Sequence, residues 1–334
     1  MHSLTAACSR TLARAVLSSH SLSVQIDASI DKLKTLLETN YSLKSRVLYD
    51  VLRASERLSG NPDIGLLAYG EAHPEACNPF SPCLLSAANI GVALNRMVSF
   101  HSLVSTGTHI CLERGQNNTV RLVGLELGIA SAPRTFLDAG AALILGLLHF
   151  LTPNHKPMPV KVEFTYAKPP CTKKLEQCFG RHLCFSAPVN CLTFNESILD
   201  LPIATANPAL DDYLFDHANA LAQELVGRSI AAKLRRVIMA SIASGKTVGM
   251  TEMAAELGIS TRSLQGALSK ESTSFTAVFD DCRLRTTHSY LVGSDRSVKY
   301  IATAMGFTDQ SSFNKACSRW FGMAPGAYRT ASRA

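Results

Sequence analysis

The sequence predicts an α+β N-terminal domain followed by an all-α domain with two helix-turn-helix motifs joined by a connecting helix. The 334 residues exceed the size of a typical single domain, so two domains are expected. Segments that alternate like strands are confined to the first 195 residues, whereas a turn glycine followed by an amphipathic helix occurs twice after residue 250. With 46% hydrophobic residues, the chain can bury a core and does not have the composition of a disordered protein.

The N-terminal part divides into an arm, 1–26, and an α+β domain, 27–226. The arm has no Asp or Glu but carries Arg10, Arg14 and many serines, which favours a loosely ordered segment and leaves an organellar transit peptide as the alternative. Within the domain, helical periodicity predicts helices, and alternation predicts the strands of an antiparallel sheet. The predicted helices are 26–37, 45–58, 86–104, 135–151, 175–179 and 208–225, and the predicted strands are 108–113, 119–127, 160–165, 183–185 and 191–194.

The helix at 135–151 is strongly apolar. Its apolar run, 139–151, is shorter than the roughly 18–20 residues of a membrane span, so a buried helix and no membrane partner are predicted. Arg134 and His149 lie beside or on this helix. Because polar groups in an apolar cleft can bind a ligand, both are candidate ligand-pocket residues. The alternative for His149 is a core histidine that is hydrogen-bonded to the backbone.

The segment 297–320 has the plainest pattern in the chain, that of a helix, a turn and a second helix. Ile301, Ala302 and Met305 form an apolar edge, and Gly306 stands where a helix C-terminus tolerates positive φ. Thr308 and Asp309 can cap the second helix. Its predicted buried stripe is Phe313, Ala316, Cys317 and Trp320, and its predicted DNA contacts are Gln310, Ser311, Asn314, Lys315 and Arg319, whose types donate to phosphates and base edges.

The same pattern occurs earlier, at 250–270. The turn glycines of the two motifs, Gly258 and Gly306, are 48 residues apart, and the second motif has one more residue in its turn. Leu264 and Leu268 are predicted core positions. The predicted DNA contacts of this first motif are Thr261, Arg262, Ser263 and Gln265, on a helix that would enter the major groove. Solvation of the helix surface is the alternative for these side chains.

The positive charge of the chain is concentrated in this C-terminal domain, 228–334. It holds 15 Lys and Arg against 7 Asp and Glu, whereas the rest of the chain holds 18 against 19. A basic domain with two helix-turn-helix motifs has the charge that phosphate binding requires. The sequence therefore predicts double-stranded DNA as a partner.

The C-terminal motifs identify a family resemblance. Residues from about 230 to 328 resemble the DNA-binding domain of the AraC/XylS transcription regulators. The matching residues are Ile301-Ala302, Met305 to Ser311, Phe313, Arg319-Trp320, Gly322 to Pro325 and Tyr328-Arg329, with Ala254-Ala255, Leu257 to Ser260 and Arg262 to Gln265 in the first motif. Residues from about 50 to 224 resemble the "arabinose-binding-like" α/β sensor of one branch of that family, through Val162 to Phe164, Pro169-Pro170, Phe179-Gly180, Phe185 to Ala187, Leu192 to Phe194 and Ala206 to Leu210.

This resemblance implies a bacterial, cytoplasmic regulator, usually an activator, whose N-terminal domain binds a small-molecule effector. RNA polymerase and promoter DNA are its implied partners, a homodimer is compatible with it, and coupling between domains would run through a hinge near Gly227. Family members usually carry a basic residue at one or both of the positions that Gly266 and Ala267 occupy here. The second motif is therefore expected to carry a larger share of the DNA affinity than in most relatives.

Other functions have less support in the sequence. No catalytic constellation, cofactor motif or pair of metal-ligand cysteines at short spacing is present, so we predict neither an enzyme nor a cofactor or metal site. Two alternatives remain for the N-terminal domain. It could be a ligand-free dimerisation or interaction module, or a thiol or metal sensor that uses Cys171, Cys178, Cys184 and Cys191.

Overall fold

The computed structural model divides the chain into two compact units, 2–219 and 220–334. The residues that it describes are 3–4, 11–12, 14, 43–105, 108–126, 132–271 and 273–333. The predicted helix 26–37 and most of the predicted arm, 1–26, lie outside the described residues. The division between the units falls seven residues before the predicted domain end at 226, inside a continuous helix that includes Gly227.

Along the chain, the N-terminal unit has helices before, between and after the strands of its larger sheet. Asn89 caps the helix that follows it by accepting from Val92 N at 2.9 Å, so the predicted helix 86–104 begins only at Ile90. The helices are α1 (Ser45–Ser59), α2 (Ser81–Leu85), α3 (Ile90–Val104), α4 (Arg134–Leu151), α5 (Lys173–Phe179) and α6 (Pro208–Arg228), and short 3-10 helices cover Ile64–Tyr69, Pro74–Cys77 and Glu196–Asp200.

In the part of the chain that the structure describes, seven short strands form two sheets. β1 (Ser3–Leu4) pairs with β2 (Leu43–Lys44), and the larger sheet has the order β3-β4-β7-β5-β6. Its strands are β3 (Thr108–Arg114), β4 (Thr119–Glu126), β5 (Lys161–Glu163), β6 (Leu183–Cys184) and β7 (Asn190–Asn195). The prediction of an antiparallel sheet is wrong at one edge, because β5 and β6 pair in parallel across the crossover that contains α5. The other pairs of this sheet are antiparallel.

Helix α4 is the central helix of the N-terminal unit. Two glycines allow close packing against the 3-10 helix Ile64–Tyr69: a Cβ on Gly65 would collide with the carbonyl of Thr135, and a Cβ on Gly146 would meet Ala72. Helix α4 is long and apolar enough to cross a membrane, but 61% of that window is buried inside the unit, as a core helix requires.

The C-terminal unit is helical in its described residues. It contains α7 (Ile230–Ala243), α8 (Met250–Glu256), α9 (Thr261–Lys270), α10 (Phe275–Gly293), α11 (Val298–Ala304), α12 (Gln310–Phe321) and α13 (Pro325–Arg333). Helix α10 is the predicted connecting helix, and it lies between the pairs α8–α9 and α11–α12. Its buried side chains, including Val278, Cys282 and Leu291, pack into the core of this unit.

Candidate nucleic-acid interface and N-terminal cavity

The two helix pairs turn with the same local geometry. Gly258 and Gly306 have φ of +68° and +70°, the left-handed conformation that glycine adopts without steric cost. After each glycine, an amide reaches back to the preceding helix, from Ile259 N to Ala254 O at 3.0 Å and from Phe307 N to Ala302 O at 3.0 Å. These bonds satisfy carbonyls at the helix end in the Schellman manner. Both predicted helix-turn-helix motifs are therefore formed.

The second helix of each motif is capped and half-buried. Ser260 accepts from Ser263 N at 3.1 Å, and Asp309 accepts from Ser312 N at 2.7 Å, which lowers the pKa of the Asp309 carboxyl below its ordinary value. Leu264 and Phe313 are fully buried on the inner faces. Trp320, predicted to be buried, is half-exposed, and Phe321 fills the inner position next to it because the helix runs one residue further.

Most predicted DNA contacts lie on the outer faces of α9 and α12. Arg262, Ser263 and Gln265 are exposed on α9, where Thr261 is half-buried. Gln310, Ser311 and Lys315 are exposed on α12. Side chains with this exposure are free to approach a groove or a phosphate.

Two of the predicted contacts on α12 also have roles inside the unit. Arg319 forms an ion pair with Asp280 of α10 at 2.9 Å, although 59% of its side chain is exposed. Asn314 is half-buried, and its Oδ1 atom is buried with no hydrogen-bond partner among the described residues. An unsatisfied amide oxygen at this position costs free energy that a donor outside the unit would recover.

No local sequence pattern indicates that Arg283 of α10 positions the second turn. Its guanidinium lies 3.9 Å from the ring centroid of Phe279 and 4.4 Å from that of Phe307, so it is held between two aromatic rings. It donates to Met305 O at 2.8 Å and Gly306 O at 3.1 Å, the carbonyls of the second turn. Arg283 thereby connects this turn to the connecting helix.

The N-terminal unit contains a cavity of about 180 Å³ between its larger sheet and its helices. Phe136, Gly140 and Ile144 of α4 form one wall, and Leu122 and Leu192 of the sheet form the opposite wall. Further walls come from α3 and the 3-10 helix Pro74–Cys77. Largely apolar cavities with a few polar groups are typical small-molecule sites.

The polar side chains of this cavity form separate groups. His101 Nε2 lies 2.8 Å from Thr108 Oγ1, which donates to Ser105 at 3.0 Å. Glu163 lies 3.5 Å from Arg121 and 3.2 Å from Lys161. Glu126 accepts from Ala132 N at 2.8 Å and from the Asn190 amide, and its pKa is raised because burial disfavours the charged carboxylate.

Neither of the predicted ligand-pocket residues lies among the residues that line this cavity. Arg134 is paired with Asp63 at 2.5 Å and with Asp138 at 3.1 Å. Burial raises the pKa of Asp138 to about 6, and Tyr166 donates a hydrogen bond to it. The Arg134 guanidinium is therefore engaged in a structural ion-pair network.

His149 bridges two parts of the N-terminal unit. Its Nε2 donates to Pro157 O at 2.9 Å, which leaves Nδ1 to accept from the Tyr69 hydroxyl at 2.7 Å. Burial lowers the pKa of His149, so the neutral imidazole is favoured. This matches the alternative of a core histidine bonded to the backbone.

The cysteines of the described residues are free thiols. Burial raises the pKa of Cys178 to about 12 and of Cys191 to about 11, which lowers the fraction of reactive thiolate. Cys171 and Cys184 are exposed. Cys317 is fully buried in α12 with a pKa of about 12, as expected for a small core side chain.

Comparisons with known proteins cover both units. The family model described as the arabinose-binding domain of AraC transcription regulators matches residues 30–203, and a helix-turn-helix family model matches residues 253–331. The chain is 27% identical over 281 residues to the ornithine utilization regulator of Pseudomonas aeruginosa, covering 83% of this chain and 81% of that protein. It is 29% identical over 120 residues to the transcriptional activator NphR of Rhodococcus sp., covering 34% and 36%.

One solved structure spans nearly the whole chain. The crystal structure of the transcriptional regulator CdpR from Pseudomonas aeruginosa aligns with a TM-score of 0.48 at 19% identity, covering 95% of this chain and 97% of that one.

The family-model matches agree with the two exposed helix-turn-helix faces and with the N-terminal cavity. The chain therefore belongs to the AraC family of transcription regulators, which are not enzymes, and it is a DNA-binding regulator with an N-terminal ligand-binding domain.

Proposed function

We propose that this protein is a transcription activator whose occupancy of promoter DNA is controlled by a small molecule bound in the N-terminal cavity. The observation that carries the proposal is the cavity of about 180 Å³, which lies in the same chain as two helix-turn-helix motifs with exposed donor side chains. The family implies a cytoplasmic location, and RNA polymerase is the proposed partner at the promoter.

The proposed DNA contacts are nine side chains on the two recognition helices. Arg262 and Gln265 on α9 and Gln310, Asn314 and Lys315 on α12 are the proposed base or phosphate contacts, and they are exposed except for the half-buried Asn314. Thr261, Ser263, Ser311 and Arg319 complete the proposed set. Arg319 would exchange its ion pair with Asp280 for a phosphate.

The test begins with chromatin immunoprecipitation and sequencing, followed by gel shifts on the recovered sites. Arg262→Ala and Lys315→Ala are expected to weaken binding by about tenfold or more, since base contacts contribute about 1–3 kcal/mol and each phosphate contact also contributes to the salt slope. Lys168→Ala, an exposed lysine of the N-terminal unit with the same change of charge, is the control. Unchanged affinity of both α9 and α12 variants would refute the assignment of the recognition helices.

Activation and effector control need a separate measurement. In vitro transcription from a recovered promoter should rise with the protein and rise further with its effector. One relative is named an ornithine utilization regulator, so ornithine is the first compound to add in this assay. Transcription that falls when the protein is added would show a repressor instead.

Helix α6 supports the second proposal, that the N-terminal unit also forms a homodimer. Leu210 and Tyr213 are large apolar side chains that are 49% and 69% exposed on this helix. Exposed apolar side chains of this size favour an interaction surface. Sedimentation equilibrium of the wild type and of a Leu210→Ser, Tyr213→Ser variant tests it: an unchanged association constant would exclude this surface.

A further inference from the structure

The lining of the N-terminal cavity carries information about the charge of its ligand. Among the residues that the structure describes, no lysine or arginine side chain lines the cavity, whereas two carboxylates, Glu126 and Glu163, do. A ligand carboxylate is commonly bound through a guanidinium, an ammonium or a helix N-terminus. The charges around this cavity are unfavourable for an anionic ligand.

The two carboxylates differ in their partners. Glu163 is neutralised by Arg121 and Lys161, at 3.5 Å and 3.2 Å. In the described part of the chain, Glu126 forms no ion pair and is held by the amides of Ala132 and Asn190 alone. Glu126 is therefore the carboxylate of this cavity that lacks a cation.

Removal from water makes an unpaired carboxylate costly. Burial is the largest influence on the pKa of Glu126 and raises it, in agreement with the position of this side chain against an apolar wall. A cationic group placed beside Glu126 would offset this cost and would form a charge-assisted hydrogen bond. Three further polar side chains of the lining, His101, Thr108 and Ser105, already bond to one another.

The cavity also limits the size of the ligand body. Its volume of about 180 Å³ is somewhat larger than that of an engineered apolar cavity of roughly 150 Å³ that binds benzene. Phe136, Leu122, Ile144 and Leu192 surround this space with apolar surface. One six-membered ring or a short alkyl chain fits these dimensions.

We infer that the ligand class of this cavity is a compact apolar amine, with one ring or short chain against α4 and the sheet, its ammonium group beside Glu126, and no carboxylate. This inference rests on the proposed function, because it takes the cavity to be the effector site. It excludes ornithine itself, whose carboxylate would find no lysine or arginine among the described residues of the lining.

The test compares matched compounds on the full-length protein. Benzylamine, benzyl alcohol and benzoate have similar bodies and carry a positive, zero and negative charge, and ornithine is the fourth compound. Calorimetric titration and thermal shift at millimolar concentration are expected to show binding of benzylamine, weaker binding of benzyl alcohol, and none of benzoate or ornithine. Benzoate binding as tightly as benzylamine, or no binding of benzylamine, would overturn the inference.

Two variants locate the site. Glu126→Gln should weaken benzylamine binding by about 30-fold or more, since removing one partner of a buried charge pair has at least this effect, and should leave benzyl alcohol little changed. Glu176→Gln, an exposed carboxylate on α5, is the matched control. Equal benzylamine affinity of Glu126→Gln and wild type would refute the role of Glu126.

The third variant reduces the cavity without removing a polar group. A Cβ on Gly140 meets no atom within 4 Å, so Gly140→Leu should fold and fill the space beside α4. Loss of benzylamine binding is expected, and unchanged binding would refute the cavity as its site.

If Gly140→Leu abolishes the transcriptional response to an effector while benzylamine fails to bind the wild type, the cavity remains the effector site and only the amine class is refuted. If Gly140→Leu leaves that response intact, the proposed function itself is refuted.

Discussion

The two helix-turn-helix motifs share their local geometry but are held in the C-terminal unit by different charged groups. In the first motif, Glu271 at the end of α9 accepts from Ile230 N at 2.6 Å and from Ser229 Oγ at 2.8 Å, so a carboxylate caps the N-terminus of α7. In the second motif, Arg283 supports the turn. The comparison shows that one sequence pattern forms the motif, while unrelated long-range contacts orient each copy.

The motifs differ as well in the side chains that they present. Helix α12 has Lys315 and Arg319, and α9 has Arg262 and, at its last position, Lys270. Between these two basic residues, α9 has Gly266 and Ala267, where the family resemblance leads us to expect a base. Gly266 is exposed, and a Cβ there would meet no atom within 4 Å. The absence of a side chain at 266 therefore serves no packing requirement in the described structure.

The strongest expected effect is on the core of the second motif. Phe313 is fully buried and packs against Phe307, so Phe313→Ala should destabilise the motif by about 3–5 kcal/mol. Trp320 is the single tryptophan of the chain and also contacts Phe307, so its fluorescence during urea unfolding reports on this motif. Phe313→Leu, which keeps most of the volume, is the control. An unchanged unfolding midpoint for Phe313→Ala would contradict the assignment of Phe313 to the core.

Arg283 is expected to have the next largest effect. Arg283→Ala removes two charge-assisted hydrogen bonds and the contacts with two rings, so the second motif should lose about 2–4 kcal/mol. Arg283→Lys keeps the charge but not the planar fork, and an intermediate loss is expected. Trp320 fluorescence measures both variants. Equal stability of the lysine and wild-type proteins would show that charge alone, rather than the fork, supports the turn.

Replacing glycines of the C-terminal unit by alanine should raise its stability at one position and lower it at two others. Gly266→Ala in the exposed interior of α9 should stabilise the unit by about 0.5–1 kcal/mol. Gly258→Ala and Gly306→Ala, at positive φ, should each destabilise it by about 1–2 kcal/mol. Thermal unfolding followed by circular dichroism compares the three variants. Destabilisation by Gly266→Ala would mean that this position needs glycine for a reason that packing does not explain.

The two motifs are expected to differ in stability at acidic pH, because the cap of α12 is a carboxylate and the cap of α9 is a hydroxyl. The pKa of Asp309 is lower in the folded state than in the unfolded state. Its contribution to the free energy of unfolding is therefore fully present above the unfolded-state pKa and is lost as the pH falls through the folded-state pKa. Ser260 caps α9 without a titrating group. The stability of the second motif, measured by urea unfolding followed by Trp320 fluorescence, should therefore fall between about pH 5 and pH 2 in the wild type. It should fall less in Asp309→Ser, each protein being compared with its own value at pH 7. The same acid sensitivity in both proteins would assign the transition to other carboxylates.

Short-range patterns were sufficient to locate most elements. The turn glycines, the Asp309 cap and the buried positions Leu264 and Phe313 follow rules that act over three to five residues, and the structure confirms them. The sheet was less predictable: the parallel pairing of β5 with β6 arises from a crossover whose geometry has no local signal. The predicted helix start at 86 was wrong because Asn89 caps a later helix.

The cavity and its polar groups illustrate the limit of such patterns. Arg134 and His149 accompany an apolar helix, but their partners Asp63 and Tyr69 lie 71 and 80 residues away in the chain and engage them in structural contacts. Glu126 stands at the end of an ordinary strand, and only the placement of α4 and Asn190 around it reveals that it faces a cavity whose described lining has no lysine or arginine.

Family membership, the two helix-turn-helix motifs and the basic character of the C-terminal unit are therefore properties of the residue order, because helix periodicity, capping and charge act between near neighbours or add up regardless of distance. The orientation of each motif by Glu271 or Arg283, and the cavity around Glu126, depend on contacts between segments far apart in the chain. Such contacts exist only after the chain has packed, since volume and desolvation are properties of the assembled core.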